Sequence, residues 1–171
     1  LFEGRFDESE REHRRILALD PGDAYAHYGL GRLEARKKRW ARAEASFRKS
    51  LESNPELIDA WRGLGKALAH QGRREEAIEA YSHSLRLVLA GHRPLGAPIA
   101  TFPPEHRIDD PAHWDIHRRL ARLYEMEGAH EEAIHGYRMA IAAGRGDFVT
   151  RSRLARLYWK RRQWRRGGEQ A

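Results

Sequence analysis

A 34-residue period runs through this chain of 171 residues and constrains its fold more than any other feature. The pattern Trp61-x2-Leu64-Gly65-x2-Leu68, Ala77-x3-Tyr81-x3-Leu85 returns in four further registers. One unit earlier stand Leu30-Gly31, Ala43, Phe47, Leu51 and Pro55. Later come Leu120-Ala121-x2-Tyr124, Gly128, Ala133, Tyr137 and Ile141, then Leu154-Ala155-x2-Tyr158 and Trp164. Gly4, Phe6, Leu17 and Asp20-Pro21 precede them all. Leu30 to Leu64 and Leu120 to Leu154 are each 34 positions apart, whereas Leu64 to Leu120 is 56, one period plus an interior insertion of 22.

Each unit holds two stretches with apolar residues near i, i+3, i+4 and i+7, the spacing of one helix face. Gly31, Gly65, Ala121 and Ala155 recur on the first stretch and Ala43, Ala77 and Ala133 on the second. Small residues there let two helix backbones approach closely. Gly72 and Gly128 mark the turn between the stretches, where a left-handed conformation ends a helix without steric cost. Asp20-Pro21 and Asn54-Pro55 close their units, because the residue before proline is pushed out of the helical region. No single helix pair buries its own apolar face, so neighbouring units must stack to make a core.

These residues resemble the tetratricopeptide repeat family, in both the 34-residue period and the small/aromatic signature. The resemblance covers nearly the whole chain outside the insertion. The expected fold is all-α, a right-handed superhelical solenoid of antiparallel helix pairs with about five repeats. The expected organisation is a single array over 1–171, with repeats near 1–23 (partial), 24–57, 58–91, 114–147 and 148–171 (partial). In this reading the first repeat lacks its leading helix, and the last breaks off after its second helix begins near Trp164. The chain is expected to be a piece of a longer array.

The insertion, 92–113, carries five of the seven prolines, a density that opposes helix and favours a looped excursion. Asp110-Pro111 reads as a helix cap followed by proline at the first helical position, restarting the array. Leu95, Ile99 and Phe102 are expected either to pin the loop to the scaffold or to face a partner.

Composition removes whole classes of function. With no cysteine there is no disulfide, thiolate metal site or thiol nucleophile. Mean hydropathy is −0.82 and no apolar run approaches the length of a membrane-spanning helix. Nothing in the composition fixes a compartment. The net charge of +7 is confined to the end of the chain: residues 1–144 carry 23 basic and 23 acidic side chains, and residues 145–171 carry nine and two.

Motifs of catalysis and metal binding fail on spacing. His130-Glu131-Glu132-Ala133-Ile134-His135 places its histidines five apart, where a zinc site on one helix face needs four. His113 and His117 have the right interval, but His117 falls on a packing position of the repeat. Gly63-Leu64-Gly65-Lys66 lacks the spacing and the following Ser or Thr of a phosphate loop. The expectation is therefore a non-enzymatic protein with no cofactor, no metal and no catalytic residue.

What the family resemblance implies is a binding face. First helices of such repeats usually line an inner groove that holds a peptide. Two positions after the leucine of each Leu-Gly/Ala pair stand Arg32, Lys66, Arg122 and Arg156, basic in every repeat that has a first helix. Tyr28, Arg62 and Arg118 lie about one turn earlier, and Tyr25, Arg36 and His70 fall on or near the same face. Ten candidate site residues follow: Tyr25, Tyr28, Arg32, Arg36, Arg62, Lys66, His70, Arg118, Arg122 and Arg156. Guanidinium groups take carboxylates in bidentate fashion, so the expected partner is an acidic segment of another protein held in a basic concave groove. The family's chaperone-tail clamp sets asparagines beside its lysines; the only asparagine here is Asn54, so that clamp is not expected. Two alternatives stand beside this scaffold reading. One is a substrate-recruiting arm of a larger enzyme or assembly factor. The other is nucleic-acid binding by the cluster Arg151, Arg153, Arg156, Lys160, Arg161, Arg162, Arg165 and Arg166, interleaved with Tyr158, Trp159 and Trp164.

Overall fold

The computed structural model describes residues 3–90, 111–145 and 147–168, and every regular element among them is helical. In chain order these are α1 (Glu3–Leu19), α2 (Ala24–Arg36), α3 (Trp40–Ser53), α4 (Ile58–His70), α5 (Arg74–Leu89), α6 (Pro111–Glu127), α7 (His130–Ala140) and α8 (Phe148–Gly168). A π-helical turn, Ile141–Arg145, extends α7. The chain divides into two compact units, Leu1–Pro98 and Ile99–Ala171. Most of the insertion, 92–110, including Leu95, Ile99, Phe102 and the expected cap Asp110, lies outside the described residues. Its last segment does not: α6 opens at Pro111.

In the first unit α1 packs on α2, α2 on α3, α3 on α4 and α4 on α5, each helix against its neighbour in sequence. The punctuation is local chemistry. Helices α1 and α3 stop just before Asp20-Pro21 and Asn54-Pro55. The Asp23 carboxylate accepts the Ala26 amide at 2.6 Å, satisfying an orphan donor of α2. Gly72 sits at φ +80° in the α4–α5 turn, and Lys38 takes the equivalent place between α2 and α3 at φ +57°.

Hydrogen bonds and ring contacts repeat with the 34-residue period. The buried Ser50 hydroxyl donates to the Ala24 carbonyl at 2.7 Å, and Ser84 repeats the bond to Ile58 at 3.4 Å. His27 Nε2 donates to the Pro21 carbonyl at 2.9 Å, as Trp61 Nε1 does to Pro55 at 2.7 Å. Phe47 and Tyr81, both buried, lie against Gly31 and Gly65, where an added Cβ would come within 2.7 Å and 3.0 Å of the ring. Thus each second helix presses an aromatic ring into the notch left by glycine on the first. This is why small residues recur at those positions.

In the second unit α6 packs on α7 and α7 on α8. Ala121, Ala133, Ile134, Tyr137 and Leu157 form its core, with Tyr124 and Leu154 packed at the margin. The first helix here carries Ala121 in place of glycine. The notch is moved to α7 instead: a Cβ on Gly136 would stand 2.9 Å from that of Ala121. Gly128 at φ +77° makes the α6–α7 turn. Asp147 caps α8 by accepting the Thr150 amide at 2.7 Å. The expected second helix near Trp164 does not start separately, because α8 runs on to Gly168. The position equivalent to Gly72 and Gly128 is Arg162, and neither glycine nor proline interrupts Lys160–Arg166, a run of good helix formers.

Among the described residues, no helix is long and apolar enough to cross a membrane.

Candidate functional site

The sequence-predicted cations are divided between the two units, and each group has its own surroundings. In the first unit α2 and α4 lie side by side. Tyr25, Tyr28, Arg32 and Arg36 follow one face of α2, and Arg62, Lys66 and His70 one face of α4, by the helical period. One contact joins these two faces, and a second ties the start of α3 to the end of α4. Tyr28 on α2 lies within electrostatic reach of Asp59 and Arg62 on α4, which sets the early turns of both helices together. At the other end Trp40, just past the α2–α3 turn, stacks on His70 with ring centroids 4.0 Å apart and planes 5° from parallel.

On this face the cations are seated on aromatic rings. The Arg32 guanidinium lies 5.6 Å from the Tyr28 ring centre and the Lys66 ammonium 5.9 Å from that of Trp40. Tyr28 also packs on Phe47, centroids 6.0 Å apart. Burial raises the Tyr28 phenol above its ordinary range, and the Asp59 carboxylate adds to this, while Arg32 and Arg62 pull the other way. Arg32 and Lys66 are exposed, and no carboxylate among the described residues pairs with either.

Arg62 differs. It donates at 2.5 Å to Asp59, an acid only 5% exposed, so its charge is largely neutralised within α4. The pair recurs one period plus the insertion later. In the second unit Asp115 on α6 takes Arg118 at 2.9 Å and Arg119 at 2.7 Å. Burial pushes the Asp115 carboxyl up, but the two guanidinium groups outweigh it and hold the acid below its usual range. Arg118 also lies 5.0 Å from the centre of the Trp114 ring. Arg122 on the same helix is exposed, with no carboxylate partner among the described residues. Arg156 on α8 is spent differently again: it donates to Glu125 at 2.5 Å, beside Arg153 and the Tyr137 hydroxyl, each at 2.8 Å from the same carboxylate.

Arg62, Arg118 and Arg156, all among the predicted site arginines, therefore hold carboxylates of this chain. Asp59 and Asp115 carried a readable signal, since each stands three residues before its arginine. Glu125 carried none, because its partners come from two other helices. Trp40 was missed because its stacking on His70 spans two helices. No group of three or more His, Asp or Glu among the described residues is placed to hold a metal ion.

The C-terminal cluster is also partly paired, Arg153 and Arg156 to Glu125 and Arg161 to Glu131 at 3.1 Å. Tyr158, which the repeat register places among the packed residues, is 41% exposed, and Trp159 beside it is 61% exposed.

Comparison with known proteins agrees with this architecture. Tetratricopeptide repeat models match residues 1–58 and 105–148, and a second such model matches 58–88. Superkiller protein 3 of Schizosaccharomyces pombe is 26% identical over 152 residues, covering 85% of this chain and 9% of that protein. The peroxisomal targeting signal receptor of Kluyveromyces lactis is 39% identical over 70 residues, covering 41% of this chain and 12% of the receptor. The chain therefore spans about a tenth of the length of these relatives. Among solved structures, the crystal structure of MamA superposes with a TM-score of 0.74 at 19% identity, covering 94% of this chain and 81% of that one. PilF of Pseudomonas aeruginosa gives 0.73 at 19% identity, covering 96% and 65%. With family models matching most of its length and a helix-pair fold shared with these structures, the chain belongs to the tetratricopeptide repeat family.

Proposed function

We propose that this chain is a protein–protein interaction scaffold whose α2/α4 face receives an acidic segment of a partner protein. Proteins of this family mediate protein–protein contacts, and the reading assigns no bond-making chemistry to the chain. The observation that carries it is the pair Arg32 and Lys66. They stand in register on adjacent helices, each seated on an aromatic ring and neither paired with a carboxylate among the described residues. A cation held over a ring keeps its outer edge free for a carboxylate, and the ring removes part of the rotamer entropy that binding would otherwise cost. Arg62 contributes less because Asp59 already occupies it. Arg122 extends the proposal to the second unit as a separate cationic position. As a substrate-recruiting arm of a larger enzyme or assembly factor, the same face would take the same chemistry.

The test is capture from source-organism lysate by the wild-type chain beside Arg32→Glu/Lys66→Glu and Arg122→Glu variants. All three positions are exposed, so helicity should stay unchanged. A partner lost with the double reversal supports the α2/α4 face, and one lost only with Arg122→Glu moves the site to the second unit. An unchanged set of partners would sink the assignment.

A further inference from the structure

The turn between α2 and α3 keeps a lysine where its two counterparts keep glycine. Lys38 stands at φ +57°, and Gly72 and Gly128 hold φ +80° and +77° at the same position of the repeat. Left-handed backbone strains any residue that carries a Cβ, so glycine is what this conformation selects. Strained residues persist where their side chains are used, which makes the exception informative.

Lys38 lies in a dense run of charge. Arg36, Lys37, Lys38, Arg39 and Arg42 are five cations within residues 36–42, with no acid among them. The carboxylates that reach the run are already assigned: Glu10 takes Lys37 at 2.6 Å, and Glu34 lies 3.7 Å from Arg39. Lys38 and Arg42 are exposed and have no carboxylate partner among the described residues.

This run is continuous with the α2/α4 face. Arg36 stands one turn beyond Arg32, at the end of α2. From α4, the Lys66 ammonium lies 5.9 Å from the centre of the Trp40 ring, and Trp40 is two residues from both Lys38 and Arg42. Positive charge therefore extends from the middle of α2, through its last turn, to the start of α3. Arg32 and Lys38 are six positions apart, about 9 Å at the helical rise, which an extended segment crosses in about three residues.

We infer, resting on the reading of the α2/α4 face as the receiver of an acidic segment, that this segment carries a tract of consecutive carboxylates. The tract runs from Arg32 and Lys66 across the α2–α3 turn to Lys38 and Arg42. Lysine at the left-handed position lowers the stability of the turn and supplies a charge at the edge of the face.

The probes are two fluorescein-labelled peptides of equal length in a glycine–serine background, one with six consecutive glutamates and one with two. Anisotropy is read on titration with the full chain and with Lys38→Gly, Lys38→Gly/Arg42→Ala and Arg32→Glu/Lys66→Glu, and thermal unfolding is followed in parallel. Wild type should bind the six-glutamate peptide more tightly than the two-glutamate peptide. Lys38→Gly/Arg42→Ala should weaken the longer tract about five- to tenfold and leave the shorter one unchanged. Lys38→Gly alone should weaken it about threefold while melting at a higher temperature, a combination that a loosened fold cannot produce. Arg32→Glu/Lys66→Glu should release both peptides. If that reversal releases them but Lys38→Gly/Arg42→Ala binds at full strength, or wild type holds both peptides equally, the tract assignment is overturned and the α2/α4 face stands. Binding that no variant alters, or no binding by wild type, would overturn both. An oligothymidylate that binds more tightly than the longer peptide, and loses affinity in Lys38→Gly/Arg42→Ala, would also overturn the tract, making the turn a phosphate-contact surface.

Discussion

Glu10 accepts the ammonium of Lys37 at 2.6 Å, joining α1 to the α2–α3 turn across 27 positions of sequence. One repeat later Glu44 spans the same interval: the Gln71 amide donates to it at 2.8 Å, and Arg73 Nη1 lies 2.8 Å from both its carboxylate oxygens. A carboxylate on α1 and another on α3 thus staple the turn of the following repeat. The equivalent positions further on are Ile78 and Ile134, so the device belongs to the first unit.

Removing the second staple with Glu44→Ala should lower the stability of the first unit by about 1–2 kcal/mol, the range for charge-assisted hydrogen bonds at a partly exposed site. Arg73 keeps Glu76 as a partner, which limits the loss. Urea unfolding of wild type and variant checks this, and an unchanged midpoint would show the staple to be geometric only.

Glu125 occupies a more demanding place in the second unit, where α6, α7 and α8 converge on it. Burial raises its carboxyl, but the Tyr137 hydroxyl and the Arg153 and Arg156 guanidinium groups outweigh this and hold it below the ordinary value of 4.5. A depressed carboxyl contributes stability that is fully present above its unfolded pKa and lost as pH falls through the folded one. Stability of this unit should therefore hold from pH 7 to about pH 5 and fall below about pH 4.5 as Glu125 is protonated, with the Asp115 contribution lost only below that acid's own ordinary value of 3.8. Glu125→Ala leaves the buried Tyr137 hydroxyl without its acceptor and should cost about 2–4 kcal/mol at pH 7. Glu125→Gln should cost less and flatten the acid limb, which chemical unfolding at pH 7, 5 and 3.5 would resolve.

Residues whose roles depend on near neighbours were legible before any coordinates. Gly72 and Gly128 mark turns, Pro21 and Pro55 mark helix ends, and Gly31 and Gly65 mark close crossings, because each role follows from backbone sterics or from the period itself. The cationic stripe is legible in the same way, since Arg32 and Lys66 are set by helical spacing alone. What spacing does not reveal is how much of that charge the chain consumes internally. Glu125 meets Arg153 and Arg156 only after α8 has packed, 28 and 31 positions away. The exposure of Tyr158 escaped for the converse reason: the repeat register predicts a packed aromatic, but packing requires a covering helix, and α8 runs straight through the position where its turn was expected.

Lys38 offers a stabilising change. It holds φ +57° at the position where the other two turns carry glycine. Left-handed backbone costs a residue with a Cβ about 1–2 kcal/mol, part of which glycine returns through its greater freedom in the unfolded chain. Lys38→Gly should raise stability by about 0.5–1 kcal/mol. Gly72→Ala should lower it by about 1 kcal/mol although nothing lies within 4 Å of the added methyl, so that loss would be purely conformational. Thermal unfolding of the two variants in parallel would show opposite shifts; shifts of the same sign would contradict this account of the turn.

Phe47 couples two glycines on different helices. A Cβ on Gly31 would come within 2.7 Å of its ring, and one on Gly63 within 2.5 Å. Helix propensity alone favours alanine over glycine by about 1 kcal/mol, so two stabilising substitutions would be expected if space allowed. Phe47 is 1% exposed, and overpacking against a buried ring costs about 1–3 kcal/mol. Gly31→Ala and Gly63→Ala should therefore each destabilise, by about 1–2 kcal/mol net. Their double variant should lose clearly less than the sum, because one displacement of the ring relieves both clashes. In a Phe47→Leu background, which is itself less stable, the sign of both changes should reverse as propensity takes over. Additive losses, or losses that persist without the ring, would show that the notches serve contacts other than Phe47.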